Sequence, residues 1–405
     1  MDYMEKFHKG KARLEKQILL LHNLEPENRD ILFKFKDYLV SESISPLRIL
    51  RYVQIMRMTS EWVDKPLTEW GRDEIIKVLG EIETRNYKVG TKNEFRKAMK
   101  KFFRWLHGEN WENLKLLKKL KEKNRLPVIL SEEEVFRMVE VAEHPRDKAM
   151  IAVWYEAGLR VAELATLQIK DIVWYEQKDE LRAKIKVRGK TGERVIPLVL
   201  SVQYLKRWID MHPFRDDLNA IVFCSFAKQN YGGVIDYQPL LRKVKEIAKK
   251  AGIRKRVYTH ILRHSRASVL ANYLTEAQMC EYFGWEQGSD MPKIYVHLSG
   301  RDIDKAVLRI YGLENEEKED DKLEPKRCPR CNYLNAPTDR FCGRCALILD
   351  EEERLRFELN ELKAVDELTK LVANNPELVM KAKEMLELVE RLNDYQVVKA
   401  FLEQF

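Results

Sequence analysis

THILRHSRASVL, residues 259–270, places His260, Arg263 and His264 at the head of an otherwise amphipathic helix. Side chains three and four residues apart share a helix face, so these three point the same way. Thr259 has the side chain of an N-cap, which predicts His260 and Arg263 in the first helical turn. There the unpaired backbone amides and the helix dipole favour an anion. A surface helix with scattered cations reads the same over so short a stretch, and the flanking sequence decides between the two.

Upstream, WYEAGLRVAEL (154–164) ends one apolar helix at Gly158 and begins another at Arg160, with Glu163 one turn later on the same face. In LRAKIKVRGKTGERVIPL (181–198), Leu181, Ala183, Ile185 and Val187 alternate with Arg182, Lys184, Lys186 and Arg188. That period predicts a hairpin with one apolar and one cationic face, turning between Gly189 and Gly192 with Lys190 at its tip. Downstream, GWEQGSDMPKIYVHLS (284–299) predicts a short helix entered at Asp290 and Pro292 and carrying Tyr295.

In chain order these motifs are R-x-x-E, a hairpin lysine, H-x-x-R-H, G-W, and a tyrosine ten residues after the tryptophan. Together, over about residues 26–313, they resemble the tyrosine recombinase (phage integrase) family. The resemblance implies a mainly α fold with a small β-sheet or hairpin: a helical core-binding domain followed by a mixed α+β catalytic domain. It implies an active site of Arg160, Lys190, His260, Arg263, Trp285 and Tyr295, with Glu163 and His264 in support. Most of the family has a second histidine where Trp285 stands, but an indole N–H can also donate to a phosphate.

The chemistry explains the residue types. A phosphodiester attacked by a tyrosine oxygen gains negative charge on its non-bridging oxygens, which Arg160 and Arg263 can neutralise without a metal. A phenol is a weak nucleophile at neutral pH unless cations favour its anion and a base takes its proton, a role the resemblance gives to His260. Lys190 can protonate the departing 5′ oxygen. The expected activity is site-specific cleavage and rejoining of double-stranded DNA through a 3′-phosphotyrosine intermediate, without ATP or a catalytic metal. The resemblance further implies a homotetramer on paired DNA sites, monomeric or dimeric off DNA. Two other readings share much of this sequence: a type IB topoisomerase, and an inactive zinc-ribbon DNA-binding regulator.

The 405 residues, 45% apolar and 34% charged, suit a globular chain of several domains. The start, MDYMEKFHKGKARLEKQ, has no apolar signal region, and no stretch reaches the ~18 apolar residues of a membrane span. The expectation is a cytoplasmic protein with no membrane partner. Residues 85–125 hold fourteen Lys/Arg against four Glu, whereas 350–405 hold fourteen Asp/Glu against eight Lys/Arg. Within the basic run, TKNEFRKAMKKFFRWLHG sets Phe95, Met99, Phe102, Phe103 and Leu106 at helical spacing. Lys92, Arg96, Lys97, Lys100, Lys101 and Arg104 cover the remaining surface with few acidic neighbours, which favours a DNA-contacting face.

CPRCNYLNAPTDRFCGRC sets Cys328, Cys331, Cys342 and Cys345 as paired CxxC knuckles, the pattern of a zinc ribbon. Four thiolates would close the coordination sphere of one structural Zn²⁺ per chain. The expected organisation is an N-terminal helix (1–25), core-binding domain (26–108), basic linker (109–126), catalytic domain (127–313), charged linker (314–327), zinc ribbon (328–346) and acidic helical tail (347–405). In the tail Leu355, Leu359, Leu362, Val365 and Leu368 form an apolar stripe suited to protein contacts, and Asn375 and Pro376 begin a second helix.

Overall fold

Proline at the first helical position loses no hydrogen bond, and Pro26 and Pro46 open two of the five α-helices with described bounds before residue 108. The five are α1 (Gly10–Leu21), α2 (Pro26–Ser41), α3 (Pro46–Ser60), α4 (Arg72–Thr84) and α5 (Val89–His107). The structure is a computed structural model that describes residues 7, 9–122, 127–177, 180–189, 192–298, 324–373, 380 and 381. These helices enclose one core, in which Phe35, Val53, Trp70, Phe102 and Phe103 are buried. Phe95 and Met99 join it and Leu106 is partly buried, so the stripe on α5 faces inward as its spacing predicts. The chain after α5 adds Leu114 and Leu117 to the same core, and Asn93 holds Leu120 by both its backbone groups.

α6 (Glu132–Val141) starts at the predicted capping box, with Ser131 Oγ accepting from Glu134 N at 3.2 Å. α7 (Pro145–Ala157) is buried along most of its length. It stops at Gly158, whose φ is 56° and where a Cβ would lie 2.4 Å from the Phe283 ring, so only glycine fits. After α8 (Val161–Ala165) come β1 (Ile172–Gln177), β2 (Glu180–Gly189) and β3 (Gly192–Leu198).

The predicted hairpin is β2–β3, with Gly189 opposite Gly192 and with Ala183, Ile185 and Val187 buried. The sheet is wider than the hairpin: β1 pairs antiparallel with β2, giving the order β1-β2-β3. IVWYEQ lacks a clean alternation and its burial follows none, which is why β1 has no signature in sequence. Glu156, buried in α7, accepts from Val199 N, Leu200 N, Ser201 N and Ser201 Oγ, and so fastens the end of β3.

α9 (Val202–Asp210), α10 (Tyr237–Lys250), α11 (Ile261–Leu270), α12 (Glu276–Phe283) and α13 (Met291–Leu298) follow. α11 begins one residue later than Thr259 as N-cap requires, because His260 is the cap residue, with φ −97° and ψ −1°. Thr259 is one position too early to reach the free amides. Its hydroxyl lies 3.4 Å from Tyr237 Oη and 3.3 Å from His260 Nδ1 instead.

Met1–Lys322 and Leu323–Phe405 are separate compact units. The second contains the short pair β4 (Lys326–Arg327) and β5 (Leu334–Asn335) and then α14 (Glu351–Ala373). Leu355, Leu359, Leu362 and Val365 of α14 are exposed. The side chain of Leu368 and the helix start expected at Asn375 lie outside the described residues. Among the described residues no helix is long and apolar enough to cross a membrane.

Candidate active site and cysteine module

Arg160 caps α8 with its backbone, and Glu163 answers from one turn below: Oε2 accepts from Arg160 N at 2.8 Å and Oε1 from Arg160 Nη1 at 2.7 Å. The Glu163 side chain is only 1% exposed and is shared with a second guanidinium, Arg194 of β3, at 3.0 and 2.8 Å. Burial opposes ionisation of Glu163, but the hydrogen bonds and charges of Arg194 and Arg160 outweigh it and hold its pKa below the ordinary value. Arg194 Nε also donates to Tyr282 O at 2.9 Å, which ties the sheet to α12. Sequence reading missed Arg194: on β3 it shares the inward face of Ile196 and Leu198, opposite Val187, and nothing in the local pattern signals a partner 31 residues earlier.

Arg160 Nη2 donates to Gly284 O at 2.7 Å. Arg263 reaches the same turn from α11: Nη2 donates to Phe283 O at 2.6 Å, while Nη1 donates to Gly158 O at 2.7 Å. Two chain segments therefore aim two arginines at the carbonyls of Phe283 and Gly284, beside Trp285. Each guanidinium carries more N–H donors than these two bonds use. Arg263 is 4% exposed and lies over the Trp285 ring at 5.5 Å. Burial, and then the Arg160 charge, push its pKa down to about 9, which still leaves it charged at neutral pH. Three cations facing one buried carboxylate leave this cluster short of negative charge.

Tyr295 is 1% exposed and stacks on Trp285, ring centroids 5.4 Å apart and planes 4° from parallel. Its hydroxyl lies 2.5 Å from His264 Nδ1. Burial raises the phenol to about 12, against the lowering effect of Arg263. His264 is pushed down to about 4, by burial first and then by the nearby His260 and Arg263, so it is neutral at physiological pH. His260 is exposed, its pKa lowered by partial burial and by Arg263 and Arg160, and its Nδ1 lies 3.3 Å from Thr259 Oγ1. The imidazole within reach of the tyrosine is thus His264. Lys190 lies outside the described residues. Its neighbour Gly189 ends β2 against the site, where a Cβ would stand 2.6 Å from Glu163 Oε1 and 3.3 Å from Arg160 Nη1.

The α5 cations divide. Lys92 and Arg96 pair with Glu83, Lys101 with Tyr38 Oη and Glu42, and Arg104 with Glu109. Arg96 is buried and also donates to Leu116 O, so it serves the fold. The expected scarcity of acidic neighbours is therefore corrected: Glu83 of α4 and Glu42, at the end of α2, lie beyond the view of a local charge count. Lys97 is exposed and Lys100 half-buried.

In the second unit the ligand atoms of Cys328, Cys331, Cys342 and Cys345 all lie within 4.8 Å of one another. Cys328–Cys345 and Cys331–Cys342 Sγ atoms are each 3.5 Å apart, near the ~3.8 Å edge that Zn–S bonds of about 2.3 Å give a tetrahedron. The knuckles repeat one backbone pattern. Asn332 N bonds Cys328 O and Ala346 N bonds Cys342 O, and both Asn332 (φ 57°) and Ala346 (φ 58°) are left-handed. Four converging thiols of this kind can bind a metal ion.

Residues 129–301 match the model of the phage integrase family. The tyrosine recombinase XerA of Pyrococcus horikoshii is 28% identical over 290 residues, which is 71% of this chain and 95% of that protein. Two solved structures share the fold. XerH bound to difH substrate, in a pre-cleavage complex, is 20% identical, with TM-score 0.53 over 77% of this chain and 95% of that one. A lambda integrase tetramer bound to a Holliday junction is 17% identical, with TM-score 0.51 over 67% and 82%. The family match ends before the cysteine module and contains every residue of the arginine–tyrosine cluster. Fold, motif order and relatives agree: residues 129–301 match the phage integrase family, and over 71% of its length the chain is similar to a tyrosine recombinase.

Proposed function

We propose that this chain recombines double-stranded DNA at specific sites, Tyr295 attacking the scissile phosphate to give a 3′-phosphotyrosine bond and a free 5′-hydroxyl. The observation that carries this reading is the convergence of Arg160 and Arg263 on the turn beside Trp285, which stacks on Tyr295. Preorganised donors with spare N–H groups, in a site short of negative charge, suit the extra charge on the non-bridging oxygens of the transition state. Glu163 fixes the orientation of Arg160, and Trp285 holds the tyrosine ring. His260, exposed and near the two arginines, would meet the phosphate. Lys190, next to Gly189 at the hairpin end, is the proposed acid for the leaving 5′ oxygen.

DNA contact is assigned in part to Lys97 and Lys100 of α5, and assembly to a tetramer on two paired sites. The DNA-bound neighbours support DNA binding in general, and the tetrameric one supports assembly. The four cysteines would hold one Zn²⁺. A module this short builds little core, and the metal would supply its folding energy and no chemistry at the phosphate.

A library of nicked duplexes with randomised arms tests the reading, because the nick traps the covalent intermediate and the adduct itself selects the site. Wild-type protein should yield denaturation-resistant protein–DNA species. Lys190→Ala should slow their formation, and a 5′-bridging sulfur, which leaves without a proton, should restore much of the rate. Arg263→Ala should lose cleavage with no rescue by sulfur. Equal rescue of both variants, or no adduct from wild type, would contradict the assignment.

A further inference from the structure

We propose that His264 is the catalytic base of this enzyme, the imidazole that holds the Tyr295 phenol and takes its proton. The inference rests on Tyr295 as nucleophile. A base must lie within hydrogen-bond reach of the proton it removes, and His264 Nδ1 is 2.5 Å from Tyr295 Oη. With Tyr295 1% exposed, bulk water offers its proton little access. The tyrosine ring packs against Trp285 at 5.4 Å and against His264 at 5.9 Å, so the hydroxyl is delivered to Nδ1 by stacking as well as by the bond. His260 is exposed, with its ring 6.2 Å from that of His264.

The sequence supplies the arrangement economically. Adjacent helical residues point about 100° apart, so Arg263 turns to the carbonyls of Gly158 and Phe283 while His264 turns to α13. The groups facing His264 are Tyr258, with rings 5.8 Å apart, His260 and Arg263 from its own helix start, and Tyr295 from α13. Burial and the neighbouring His260 and Arg263 keep the imidazole neutral, and in the proposed role Nδ1 is the acceptor and Nε2 carries the N–H.

The step balances as a proton transfer coupled to transesterification. The Tyr295 O–H bond breaks and its proton passes to His264 Nδ1. The electron pair left on oxygen forms the O–P bond while the P–O5′ bond breaks, and the 5′ oxygen takes a proton from the general acid. Religation reverses each transfer.

The test is single-turnover adduct formation on the selected nicked duplex, from pH 5 to 9. His264→Phe keeps an aromatic ring and removes the acceptor. It should slow adduct formation by about 10²-fold or more, with DNA affinity retained and a residual rate that climbs with pH where wild type is level. Replacing Tyr295 with difluorotyrosine, whose phenol ionises without help, should restore much of the H264F rate and leave a His260→Gln loss unrelieved. Should H264F fail to fold, His264→Asn carries the same comparison. A wild-type rate and pH profile in the variant, or a loss that difluorotyrosine does not relieve, overturns the proposal. Peptide mapping of the wild-type adduct to a residue other than Tyr295 would instead overturn the reading beneath it.

Discussion

Glu163 bears the densest set of contacts in the site, being a buried carboxylate between two guanidiniums and a backbone amide. Glu163→Gln removes the charge from a buried network and leaves both arginines partly uncompensated, a loss on the order of 3 kcal/mol. The folded-state pKa of Glu163 lies below its ordinary 4.5, so the stabilisation is whole above that value and is lost as pH falls through the lower, folded one. Urea midpoints measured from pH 7 downward should therefore fall more steeply for wild type than for E163Q, and the two curves should converge in acid. At this scale the sequence is informative where a motif fixes spacing, as Arg160 with Glu163 follows from a helical offset alone, whereas Arg263 and His264, expected to point the same way, turn to different partners. It is silent where partners meet only through the fold. Arg194 on Glu163, Glu156 on the Val199–Ser201 amides, and His264 on Tyr295 join residues 31, 43–45 and 31 positions apart.

Periodicity made α5 and the β2–β3 hairpin legible as elements, because both bury one face and expose the other. β1, which buries no regular face, was not legible. The charge on α5 was only half legible, since counting cations along one helix cannot see the acids of its neighbours. The structure separates roles that the count merged. Lys97→Ala/Lys100→Ala should flatten the slope of log K against log salt by up to about one unit per lost phosphate contact, with little change in melting temperature. Arg96→Ala should do the opposite, because Arg96 is buried against Glu83 and the Leu116 carbonyl. Titrations in fluorescence anisotropy at several salt concentrations, paired with thermal melts, distinguish the two. A flatter slope for R96A with K97A/K100A unchanged would contradict the division.

As a whole the chain joins a unit similar to tyrosine recombinases to a separate cysteine unit, in which the four cysteines of the CxxC pairs lie together and could hold a metal ion. Cys328→Ser/Cys331→Ser should abolish about one tightly held zinc per chain and unfold the module, while cleavage of the nicked duplex persists, because the family match that holds the active site ends at residue 301. Metal analysis after dialysis, set beside adduct yield, checks both halves, and loss of cleavage in a variant whose first unit is still folded would place the metal nearer the chemistry. Tyr295 is central to the proposed chemistry. Tyr295→Phe removes one oxygen and leaves the ring to stack on Trp285, so folding and DNA binding should survive while covalent chemistry stops. The direct measurement is mass spectrometry of the peptide left on DNA after wild-type protein reacts with the selected nicked duplex, with Y295F run alongside. An adduct on Tyr295 in the wild type and none in Y295F is the predicted result, whereas an adduct formed by Y295F, or one mapped to another residue, would contradict it.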